Sequence, residues 1–101
     1  MKLAWSNRAA ADRLAIFIWI AKDNPQAAAD VDDRIEVAAQ RLKDFPNSGR
    51  PGRIEGTREL VIARTPYLAP YQIVGDTMRI LRVLHGARMW PHDIPPGFDT
   101  E

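Results

Sequence analysis

The sequence contains no cysteine, and only two histidines, two tyrosines and three tryptophans, among its 101 residues. Without cysteine there is no disulfide framework and no thiolate metal site, and two scattered histidines do not make a structural metal centre. Long apolar runs are missing too. The longest, Leu14 to Ala21, is far short of the roughly 20 residues a membrane span needs. The start Met-Lys-Leu-Ala-Trp lacks the apolar stretch and cleavage site of a signal peptide. The expectation is a soluble, cytoplasmic protein with no metal, no small-molecule cofactor and no membrane partner. A chain of this length forms one domain with a single core.

Lysine is absent from residues 50–92, although the net charge of the whole chain is only +1. Residues 1–49 balance seven Lys/Arg against seven Asp/Glu, whereas residues 50–92 hold seven arginines against three acids. Arginine's planar, multi-donor head suits recognition of phosphate or carboxylate better than diffuse charge attraction does. The partner of this half is expected to be acidic, unless the arginines are spent on internal ion pairs.

Lys2 to Trp5 reads as a short strand, and Ser6-Asn7 as the cap of a helix running from Arg8 to about Asp23. Leu14, Phe17, Ile18 and Ala21 recur at helical spacing as its core stripe, which leaves Ile16, Trp19 and Ile20 as a second apolar arc. Such a helix is either packed on two sides or keeps one side for another protein. Asn24-Pro25 closes it and opens a second helix, whose Val31, Ile35, Ala38, Leu42 and Phe45 form a single buried face. A turn-rich segment, residues 46–52, ends that helix.

Three β-rich runs follow, Arg58 to Arg64, Tyr67 to Val74 and Met78 to Leu84. The last is apolar on both faces and reads as a central strand. Pro70 cannot donate to a ladder and predicts a bulge or a locally open edge. The predicted fold is α+β, β-α-α-β-β-β, with a helical hairpin on one face of a small, mostly antiparallel sheet. It occupies residues 1–91 and is followed by a flexible tail, 92–101.

"NPQAA" opening the second helix, "LKDFPNSGRPG" closing it, "GTRELVIARTPYLAPYQIV" across two strands and "RILRVLHGARMWP" at the end together resemble the RelE/ParE superfamily of bacterial type II toxin–antitoxin systems. Its members are often described as plasmid stabilisation proteins. The resemblance implies the fold just derived and a small ParD/RelB-like antitoxin that wraps and neutralises the toxin. Ile16, Trp19 and Ile20 are then candidates for the antitoxin groove.

Two activities share this fold, which therefore does not choose between them. RelE-like members are ribosome-dependent mRNA endoribonucleases, or mRNA interferases, and ParE-like members inhibit DNA gyrase. The nucleases carry cations that stabilise the phosphorane and protonate or deprotonate the reacting oxygens. In this sequence Leu68, Glu59 and Val61 stand where such cations belong, and Arg88 alone falls at a matching basic position. Each lost contact is worth roughly 2–4 kcal/mol of transition-state stabilisation, so the resemblance favours a ParE-like binding inhibitor over an enzyme. Its target-binding residues are expected to be Arg79, Arg82, Arg88 and Trp90. Under the ribonuclease alternative, His85 is the general acid or base, with Arg88, Arg82 and Arg64 holding phosphate. Otherwise His85 bonds a backbone carbonyl and fixes the following turn. Glu59 is expected to pair with an arginine of a neighbouring strand, and Tyr67 and Tyr71 to be core or rim aromatics.

Overall fold

The computed structural model describes residues 1–87. The expected tail 92–101 and two of the expected target-binding residues, Arg88 and Trp90, lie outside them. Strand β1 (Lys2–Trp5) leads into helix α1 (Asn7–Ala21), and α2 (Pro25–Arg41) follows. The strands are β2 (Arg50–Pro51), β3 (Arg58–Val61), β4 (Tyr67–Val74), β5 (Thr77–Ile80) and β6 (Leu84–His85). They form one sheet in the order β1-β5-β4-β3-β2, with β6 also on β4. Only the β1–β5 pair is parallel.

Local chemistry sets the helix limits. The Ser6 hydroxyl accepts from the Ala9 amide at 3.0 Å, and the Asn24 side chain accepts from the Ala27 amide at 3.0 Å with Pro25 in the first turn. Arg13 clamps the hairpin. Its guanidinium donates to both carboxylate oxygens of Asp32 (3.0 Å each) and to Glu36 (2.8 Å), and it lies 4.6 Å from the Trp5 ring centroid.

The core lies between the helices and one sheet face, where Ala9, Ile35, Leu42, Ile62, Ala69, Tyr71, Met78, Ile80 and Val83 pack together. The inward stripe of α1 is therefore Ala9, Ile16 and Ile20. The expected stripe fails: Leu14 is 62% exposed, Ile18 53% and Phe17 36%, and only Ala21 is half-buried. On α2 the expected face is buried or half-buried as far as Leu42, whereas Phe45 falls beyond the helix end and is exposed. Alanines explain the choice on α1. Ala9 on α1, and Ala28 and Ala39 on α2, are small enough for close packing, and all three are buried.

The run expected as a single central strand, Met78 to Leu84, is broken. β4 takes the centre, and the chain leaves the ladder at Leu81–Val83. Pro70 accounts for this. Leu81 N–H donates to the Pro70 carbonyl at 2.9 Å, but Pro70 has no N–H to return to the Leu81 carbonyl. That carbonyl accepts instead from the Ser6 hydroxyl at 2.8 Å. Ser6 therefore caps α1 and completes the sheet at the proline, which produces the locally open edge that Pro70 predicted.

Candidate functional site

Where the chain leaves β5 it turns toward α1, and Asp12 receives it. The Asp12 carboxylate accepts from Arg82 Nε (2.8 Å), Arg82 Nη2 (3.1 Å) and the Val83 amide (2.9 Å), with both side chains mostly buried. This bidentate pair stands at one end of a groove of about 490 Å³ between α1 and the sheet. Ala15, Ile16 and Trp19 line it on the helix side, and Tyr67, Val83, Leu84 and His85 on the strand side. Trp19 is 68% exposed, and Lys22 lies 5.2 Å from its ring centroid.

His85 closes the other side of the groove. Its ring meets Tyr67 edge-on at 5.8 Å, and its Nδ1 accepts from the Ala87 amide at 3.2 Å. An accepting Nδ1 assigns the proton of the neutral ring to Nε2. His85 thus fixes the following turn, helped by the Gly86 amide on the Pro66 carbonyl at 2.8 Å. The bond is to an amide rather than to the expected carbonyl.

Of the expected antitoxin-binding residues, Ile16 and Trp19 line the groove. Ile20 is half-buried on the inward stripe and does not. Of the expected phosphate-binding set, Arg82 lines the groove together with His85, Arg88 lies outside the described residues, and Arg64 is not among the groove residues. Arg82 is held by Asp12, while Arg64 sits exposed in the β3–β4 turn with φ 62°, its carbonyl accepting a long 3.5 Å bond from Arg34. Arg79 lies across the sheet from the core, half-buried between Ala4 and Gln72 and engaged in contacts of its own.

Several arginines of the arginine-rich half have internal partners while remaining partly exposed. Arg50 donates to Glu59 Oε1 (3.0 and 3.1 Å), and the Arg53 amide donates to Glu59 Oε2 (2.9 Å). Glu59, 1% exposed, is the internal partner that was expected. Arg58 donates to the Gly49 and Asn47 carbonyls at 2.8 and 3.1 Å. Burial raises the Tyr71 phenol above its ordinary pKa, and the hydroxyl donates to the Pro46 carbonyl (2.7 Å) and accepts from the Gly49 amide (3.0 Å). Gly49 must be glycine, because a Cβ there would lie 2.5 Å from the Tyr71 ring.

Strand alternation puts Glu59, Val61 and Leu68 together on the face away from the helices, beside the small cluster of Leu68, Leu84 and Ile54. On that face the buried Glu59 carboxylate holds Arg50 and Arg53, and Arg79 lies farther along it. The residue missed by sequence reasoning is Asp12. Its contact with Arg82 spans 70 positions, and no local pattern announces it.

A helical hairpin laid over one face of a small sheet is an architecture this chain shares with a solved toxin–antitoxin structure. The structure aligns with one titled "Chromosomal ParDE TA system from P. aeruginosa" at a TM-score of 0.76 and 31% identity, covering 84% of this chain and 95% of that one. The chain belongs to the family described as "ParE toxin of type II toxin-antitoxin system, parDE", which it matches over residues 3–90. It is 47% identical to "Putative toxin Y4kP" of Sinorhizobium fredii over 89% of this chain and 93% of that protein. It is 34% identical to "Toxin RelE2" of Caulobacter vibrioides over 87% of this chain and 98% of that protein. No helix among the described residues is long and apolar enough to cross a membrane.

Proposed function

We propose that this toxin is a ParE-like growth inhibitor that acts by binding DNA gyrase, and that a cognate antitoxin neutralises it by filling the groove beside α1. One observation carries the choice of target. The sheet face where the ribonuclease members of the superfamily hold their cations presents Val61, Leu68 and the internally paired Glu59. A developing phosphorane needs positive charge aimed at it, and on this face the Arg50 and Arg53 guanidiniums are turned onto the Glu59 carboxylate instead. Arg82 points the same way, since the Asp12 carboxylate holds its Nε and Nη2, while the Ala87 amide takes Nδ1 of His85.

A binding inhibitor needs no catalytic set. The antitoxin part of the reading rests on the ParDE neighbour and on the groove itself, where Trp19 offers a large exposed ring beside an apolar floor. Purified toxin added to a translating extract leaves mRNA full-length, as judged by primer extension. The His85→Ala variant arrests growth as the parent does. Cleaved mRNA in the extract, abolished by His85→Ala, overturns the reading in favour of the ribonuclease.

A further inference from the structure

The turn between β3 and β4 holds an arginine where glycine belongs. The Ile62 carbonyl accepts from the Thr65 amide (3.3 Å) and the Thr65 hydroxyl (2.9 Å), which closes a tight turn with Arg64 in its third position at φ 62°. Left-handed backbone at that position favours glycine or asparagine, and a long side chain is strained there. Among the described residues no ion pair offsets the strain, since Arg64 is exposed and its guanidinium meets no carboxylate.

A second cation stands beside it. The half-buried Arg34 reaches over from α2 and sets its Nη1 3.5 Å from the Arg64 carbonyl, and it too makes no ion pair among the described residues. Asp30, one helical turn before Arg34, accepts from Gln26 at 3.1 Å instead, and the exposed Asp33 precedes Arg34 in the chain without pairing to it. Two guanidiniums at a strained turn, with the neighbouring carboxylates not drawn onto them, form a surface suited to an anion from outside the chain.

We propose that Arg34 and Arg64 receive acidic side chains of the antitoxin, from the segment that fills the groove beside α1. The proposal rests on that reading of the groove and extends it. Position decides the occupant. The turn that carries Arg64 is joined to both strand-side walls of the groove: the Tyr67 amide donates to Thr65 Oγ1 at 3.1 Å, and the Gly86 amide, next to His85, donates to the Pro66 carbonyl at 2.8 Å. At the other end, Arg82 is already matched by Asp12. A segment lying in the groove therefore meets one neutral end and one cationic end, and its complement is an apolar stretch flanked on one side by Asp or Glu. A nucleic acid is the poorer fit. Its repeated phosphates call for a run of cations, which two guanidiniums beside an apolar groove do not supply.

Binding of the full-length cognate antitoxin, followed by fluorescence anisotropy, tests the pair. Arg64→Gly unfolds in urea at or above the parent's midpoint, because glycine fits the turn. In Arg34→Gln/Arg64→Gly the affinity falls about tenfold at low salt, as expected for the loss of two charge-assisted contacts, and the difference shrinks in about 0.5 M sodium chloride. Trp19→Ala weakens binding at both salt concentrations. If Trp19→Ala binds as the parent does, the groove reading fails and takes this proposal with it. If Trp19→Ala binds weakly while the double variant keeps the parent's affinity at low salt, the arginine contact alone is overturned and the groove reading stands. An Arg64→Gly variant less stable than the parent overturns the proposal as well, because Arg64 is then a structural residue.

Discussion

Single side chains at the junction of helix and sheet carry more of this fold than their size suggests. Ser6 serves two elements at once, capping α1 and donating to the Leu81 carbonyl that Pro70 leaves without its usual partner. Ser6→Ala loses the cap, about 1 kcal/mol, and strands a buried carbonyl, about 1–3 kcal/mol. The expected total of about 2–4 kcal/mol is measurable by urea unfolding. Pro70→Ala in the same chain restores a backbone donor, so the double variant loses less than the sum of the two single changes. Tyr71→Phe leaves the Gly49 amide and the Pro46 carbonyl unpaired and costs about 1–3 kcal/mol in the same assay. The caps, the glycine-proline turn and the internal pairing of Glu59 were legible in the sequence, because each is a local pattern or a charge conflict between neighbouring strands. Asp12 was not. Its partners come from the far end of the chain, and an aspartate in mid-helix looks the same whether it is solvated or holds a strand exit.

Element by element, α1 is where reading from sequence fails, and the reason is physical. The helix is apolar on both sides, so helical spacing fits Leu14, Phe17, Ile18 and Ala21 as well as it fits Ala9, Ile16 and Ile20. Close approach of α2 through its buried alanines selects the second set, and periodicity contains no information about interhelical distance. On α2, with one apolar side, the reading holds as far as Leu42. Phe45→Ser is therefore expected to change stability by less than about 0.5 kcal/mol, whereas Ile35→Ala costs about 2–5 kcal/mol. The hairpin clamp also responds to pH. A hydrogen bond from the Gln40 side chain, then one from Arg13, hold the Glu36 carboxyl below the usual carboxylate range. A lowered folded-state pKa means that this stabilisation is present above the unfolded value, about 4.3, and is lost as pH falls through the folded one. Because Glu36 is 40% exposed on its side chain, the effect stays within about 1 kcal/mol. Glu36→Gln removes that part of the acid-side loss in a pH series of thermal unfolding.

At the scale of the molecule, several arginines of the arginine-rich half hold the fold together while remaining partly exposed. Arg50, Arg53, Arg58 and Arg82 are engaged with Glu59, backbone carbonyls and Asp12, and the Asp12 and Glu59 carboxylates offset part of the field expected to draw an acidic macromolecule. Alongside the exposed arginines, the surfaces left for partners include a groove with Trp19, Tyr67 and His85 at its walls and the apolar outer side of α1. Such surfaces suit protein partners better than a nucleic acid backbone, whose binding is dominated by cation–phosphate contacts. The most direct measurement is the supercoiling of relaxed plasmid by purified DNA gyrase in the presence of the toxin. The account predicts inhibition that rises with toxin concentration, is equal for the parent and His85→Ala, and is reversed by the antitoxin. Undiminished supercoiling at toxin in large excess over gyrase contradicts it.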